Sequence, residues 1–131
     1  MSRLANLSVH TTLASGPPLT VGFVTTEAKP ILVRGVGPGM HDVFPQFFST
    51  ADVFADPLLE LYNASNTRID QNDNWNASLL PFFDQAGAHR FNPGSKDAAL
   101  LVTLPPGIYT AQLSGVGGTT GDGVVEVYDV P

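Results

Sequence analysis

Leu100-Leu101-Val102-Thr103-Leu104-Pro105-Pro106-Gly107-Ile108-Tyr109-Thr110-Ala111-Gln112-Leu113 holds two apolar runs and, between them, a corner that neither run can pass through unbroken. Proline has no amide hydrogen to give to a β-ladder, and glycine accepts a sharp turn, so the stretch reads as two strands meeting at a break. In the second run Tyr109, Ala111 and Leu113 alternate with Ile108, Thr110 and Gln112. That period of two gives a strand one buried face and one wetter face.

The same grammar extends in both directions. Downstream, the Gly-rich loop 117–122 leads to residues 123–130, where Val125 and Val127 alternate with Val124, Glu126 and Tyr128. Upstream, residues 4–12 and 19–25 read as strands separated by Ala14-Ser15-Gly16-Pro17-Pro18, a hairpin or a sheet crossover. Residues 30–36 follow, with Ile31 and Val33 on one face and Leu32, Arg34 and Val36 on the other, so this strand is expected to be buried on much of both. Residues 58–62 and 67–70 read as a hairpin around Asn63-Ala64-Ser65-Asn66, and 98–104 and 107–116 flank the Pro-Pro-Gly corner. Leu79, Leu80, Phe82 and Phe83, behind a possible cap at Asn74 or Asn76, predict one short helix over 76–85. Between residues 40 and 56 no period holds. That stretch predicts a long loop, with room for one helical turn, whose Phe44, Phe47, Phe48 and Phe54 plug an open end of the fold in preference to forming a ligand platform. The sum is an all-β antiparallel β-sandwich, jelly-roll-like, of about eight strands with at most one short helix.

Composition agrees with a single module over residues 2–131. The chain has 131 residues, 43% hydrophobic and 14% charged, with 13 Gly and 11 Pro, which suits a turn-rich globular domain. A net charge of −6 repels phosphate backbones and anionic headgroups, so neither nucleic acid binding nor membrane insertion is expected. Cysteine is absent, which excludes disulfides, thiolate metal sites and a Cys nucleophile. Met1-Ser2-Arg3 runs almost directly into strand-like sequence, as expected of a module cut from a larger secreted protein with an initiator methionine added.

The polar run Asp70-Gln71-Asn72-Asp73-Asn74-Trp75 is the chemistry-bearing candidate. Its side-chain oxygens fall at alternate positions, as in a Ca²⁺ loop, and Asp70, Asn72 and Asp73 are the metal candidates, completed by remote oxygens such as Asp56 or Asp97. An EF-hand is excluded, because Trp75 and Pro81 stand where such a loop needs glycine and a bidentate Glu. The alternative is an Asx-rich turn whose side chains satisfy its own backbone. Trp75, the lone tryptophan, could stack on a sugar while Asp70, Asn72, Asp73 and Asn74 bind its hydroxyls, or could instead pin the core. The glycines at 115–121 lack a following helix and a Lys-Ser/Thr pair, so a hairpin loop accounts for them. Gly35 to Gly39 is excluded likewise, since Pro38 is not expected to open a helix. His10, His41 and His89 lack ligand spacing, and no nucleophile is tied to a base, so no enzyme is expected. Asn6, Asn63 and Asn76 begin glycosylation triplets, which arise often by chance in an Asn-rich chain.

Residues 2–8, 21–24, 31–38, 56–62, 72–75 and 125–129, taken in order, resemble a repeat module of large secreted bacterial proteins, similar in turn to bacterial pre-peptidase C-terminal domains. The resemblance covers nearly the whole chain. It implies a β-sandwich, an extracellular or cell-surface location and an accessory role beside neighbouring domains of the parent protein. Some such relatives bind Ca²⁺ near their acidic loops, whereas this chain has Asn at several acidic places and Trp at 75. The expected function is a non-catalytic module that binds carbohydrate or cell-surface polysaccharide. A spacer or adhesion repeat without a small ligand is the alternative.

Overall fold

The sequence Leu19-Thr20-Val21-Gly22-Phe23-Val24-Thr25 alternates buried and exposed residues without a break, the burial signature of a strand with one face on a core. A computed structural model describes residues 6–13, 19–43, 45–46, 53, 55–118 and 121–130. Its strands are β1 (Asn6–Leu13), β2 (Leu19–Thr25), β3 (Lys29–Val36), β4 (Pro57–Tyr62), β5 (Arg68–Asn72), β6 (Ala98–Leu104), β7 (Gly107–Gly115) and β8 (Gly121–Asp129). They form two antiparallel sheets, ordered β1-β8-β3-β6 and β2-β7-β4-β5. This is a jelly roll. Among the described strands, β4 and β5 are the one consecutive pair joined in a ladder; every other connection passes from one sheet to the other.

The Pro-Pro-Gly corner is one of these crossings, carrying the chain from β6 in the first sheet to β7 in the second. The Pro105 carbonyl accepts hydrogen bonds from Tyr109 Oη at 2.7 Å and Thr25 Oγ1 at 2.8 Å, so one oxygen ties the corner to both β7 and β2. The hairpin between β4 and β5 is also built from its own side chains. Asn63 Oδ1 accepts the Ser65 and Thr67 amides, each at 3.0 Å, and Asn66 takes the left-handed conformation at φ 60° that asparagine tolerates.

Between the sheets lies the main core, including Ile31, Val33, Leu59, Leu61, Leu113, Val125 and Val127. Gly35 shares that inner face, and a Cβ there would come within 2.6 Å of Leu113 Cδ1, so a larger residue requires that leucine to shift. A second core sits on the outer side of the first sheet, where Leu32, Val36, Ala99 and Tyr128 are packed under Met40, Val53, Trp75, Phe83 and Phe91. β3 is therefore buried on both faces from Ile31 onward, as its sequence leads one to expect.

The helix expected over 76–85 is present as a 3₁₀ turn, Ala77–Leu79, capped by Asn76 Oδ1, followed by α2, Leu80–Ala86. Pro81 is tolerated because it falls in the first turn, where its missing N–H has no partner to lose. A further helical segment, α1 (Pro38–Val43), corrects the expectation that Pro38 opens no helix. Phe44, Phe47, Phe48 and Phe54, read as a plug, lie outside the described residues.

Candidate functional site

Asp70, Asn72, Asp73 and Asn74 sit at the end of β5 and in the segment that leaves it. Their polar atoms are engaged locally and with β6. Asp70 Oδ1 accepts the Gln71 amide at 2.8 Å, and Asn72 Oδ1 accepts the Ala99 amide at 3.1 Å. Asn72 Nδ2 donates to the Asn74 carbonyl at 3.0 Å, and Asn74 Nδ2 donates to Asp73 Oδ1 at 3.2 Å. Among the described residues, no group of three or more His, Asp or Glu is gathered where it could hold a metal ion.

Trp75 turns inward. It is 8% exposed, with its ring centroid 5.5 Å from those of both Phe83 and Phe91. Its indole N–H donates to Ser95 Oγ at 3.1 Å, as a buried indole requires. This corrects the expectation of a sugar-stacking face at Trp75. The outer side of the first sheet needs an apolar cover, and the indole is part of it.

Asp97, one of the remote oxygens considered for a metal, holds this cover in place. It is wholly buried; Oδ1 accepts the Gly37 amide at 2.7 Å and the Gly39 amide at 3.0 Å, while Ser95 Oγ donates to Oδ2 at 2.8 Å. Gly37 and Gly39 flank the start of α1, so Asp97 supplies the cap that the helix's own sequence lacks. Burial raises its carboxyl above the ordinary value, and the hydrogen bonds from Gly39, Gly37 and Ser95 and the charge of Arg34 act against that rise. Arg34 is buried beside it, its guanidinium 4.1 Å from the Phe91 ring centre and 4.8 Å from that of Phe83. Its Nε pairs with Glu126 Oε1 at 2.8 Å, and Nη1 donates to the His89 carbonyl. Burial and Glu126 push the neighbouring Tyr128 phenol up to about 12.

The outer face of the second sheet is different. Strand register sets Thr20, Gln112, Glu60 and Gln71 side by side across β2, β7, β4 and β5. The next row is Gly22, Thr110, Tyr62 and Arg68, and Val24 lies opposite Ile108 beyond it. Their strand neighbours Val21, Phe23, Leu59, Leu61, Ala111 and Leu113 are in the main core, so these rows face away from it. Val24 and Ile108 are 57% and 59% exposed. Glu60 Oε2 accepts from Tyr62 Oη at 3.2 Å and Arg68 Nη1 at 3.1 Å. Desolvation and the Glu60 carboxylate raise the Tyr62 phenol above its ordinary value.

No protein-family model matches the chain, and no curated protein does. Among solved structures it is similar to the crystal structure of the pre-peptidase C-terminal domain of a collagenase from Bacillus anthracis. The match covers 95% of this chain and 88% of that one, with a TM-score of 0.54 and 13% sequence identity. The chain has the fold of a pre-peptidase C-terminal domain. No helix among its described residues is long and apolar enough to cross a membrane.

On this pre-peptidase-like frame the outer face of the second sheet offers a polar surface with one tyrosine, two carboxamides, a carboxylate and a guanidinium. Such a set can accept and donate hydrogen bonds to a hydroxyl-rich ligand. The alternation of Ile108, Thr110 and Gln112 marks the wetter face in the sequence, but which strands bring Glu60 and Gln71 alongside Gln112 is set by register.

Proposed function

We propose that the chain is a non-catalytic accessory module of an extracellular protein, and that it holds its bearer to polysaccharide or cell-surface glycan through the open face of the second sheet. The observation that carries this reading is the row of Gln71, Glu60 and Gln112 beside Tyr62, with Gln71 exposed and the other three half-buried on the outer side of the sheet. Likeness in fold to a C-terminal domain of a collagenase supports an accessory role and an extracellular setting. Sedimenting the purified chain with insoluble polysaccharides, in Ca²⁺ and in chelator, tests it. Retention that falls in Tyr62→Ala supports the reading, and Ca²⁺ dependence would bring Asp70, Asn72 and Asp73 into the site. No retention on any polymer in either condition would overturn it in favour of a spacer or adhesion repeat.

A further inference from the structure

Resting on that reading, we infer that the glycan is an uncharged, extended chain lying across the strands along the row Gln71, Glu60, Gln112 and Thr20, with Glu60 as the fixed acceptor at its centre. Charge narrows the class first. The Glu60 carboxylate is paired with Arg68 at 3.1 Å, so among its described residues the row offers no unpaired cation to attract an acidic sugar. The chain as a whole carries a net charge of −6, which repels a polyanion over a Debye length. Uronate- and sulfate-bearing polymers are therefore poor occupants.

Side-chain chemistry narrows it further. Gln71 and Gln112 stand directly beside Glu60 on the two adjoining strands, and each carboxamide both donates and accepts, which matches the dual character of a sugar hydroxyl. Tyr62 and Arg68 both donate to the same oxygen of Glu60, so the carboxylate is oriented before any ligand arrives. Its other oxygen is where a sugar hydroxyl would donate.

Shape decides between a single sugar and a chain. Small ligands take concave pockets, whereas this row lies on an open sheet with strands about 4.8 Å apart and so spans about 14 Å across four of them. A track of that length suits several consecutive sugar units. Gly22 in the adjoining row leaves the floor low, and the exposed pair Val24 and Ile108 beyond it offers apolar contact to the C–H face of a ring.

Affinity electrophoresis of the full chain through gels containing hydroxyethyl cellulose, galactomannan or dextran, and in parallel carboxymethyl cellulose or alginate, tests the inference. Retardation by at least one neutral polymer, weakened about tenfold in Gln112→Ala and in Gln71→Ala, is the expected result. Emission from Trp75, buried on the far side of the other sheet, verifies that the variants are folded. Stronger retardation by carboxymethyl than by hydroxyethyl cellulose, or unchanged retardation of the folded double variant, would overturn this inference while leaving glycan binding intact. Failure of every polymer to retard the chain would overturn both.

Discussion

The two sheets share one core and differ in what lies on their outer sides. The first carries a second apolar core built by α1, α2 and the segment from Trp75 to Asp97, under which even the guanidinium of Arg34 is taken out of water between two aromatic rings. The second presents Gln, Glu, Tyr, Thr and Arg side chains in register, with Val24 and Ile108 exposed. Closure of the sandwich does not require both faces to be alike. One outer face carries a second apolar core, and the other carries polar side chains with Val24 and Ile108 exposed.

Removing part of the cover should have the largest effect. Phe83→Ala empties a fully buried ring site that also neighbours Arg34, and a loss of about 3–5 kcal/mol is expected in urea denaturation. A loss below about 1 kcal/mol would mean that the second core is not packed tightly. Asp97→Ala comes next: it leaves the Gly37 and Gly39 amides and the Ser95 hydroxyl without their acceptor, at about 2 kcal/mol or more. Asp97→Asn keeps an oxygen for the glycine amides and gives Ser95 Oγ a donor, so it should stay within about 1 kcal/mol of the parent.

The pH dependence sharpens that pair. Because the folded Asp97 carboxyl is raised above 3.8, the folded state binds the proton more tightly than the unfolded chain does. Its contribution to stability is greatest below the unfolded value and declines as pH rises through the window between 3.8 and the folded value. Asp97→Asn should lose that slope, and an unchanged profile across it would assign the titration elsewhere. The smallest effect belongs to the open face. Ile108→Thr should change stability by no more than about 0.5 kcal/mol, and a loss above about 1 kcal/mol would show that something covers this face after all.

Much of this architecture is legible in the sequence because strand alternation is local. The Pro105-Pro106 break, the alternation through Leu113 and the two-faced burial of β3 all follow from residues close together in the chain. α1 is not legible, since its cap comes from Asp97, some 60 residues downstream of Gly37. The polar loop is ambiguous for the same reason. Asn72 meets the Ala99 amide 27 positions away, and only the folded chain shows that Trp75 turns under Phe83 and Phe91. The row on the open face likewise depends on strand order, because Gln71, Glu60 and Gln112 come from three strands.

The strand order also governs when the fold can exist. β8, the last strand in the chain, lies inside the first sheet between β1 and β3, so β1 has no hydrogen-bonded strand partner until residues 121–129 are available. Emerging amino end first, from a ribosome or through a membrane pore, the chain can close the β4–β5 hairpin early but must hold β1 and one edge of β3 unpaired to the end. Folding is thereby coupled to completion of transit, and a chain halted short of β8 would expose two open strand edges to its neighbours.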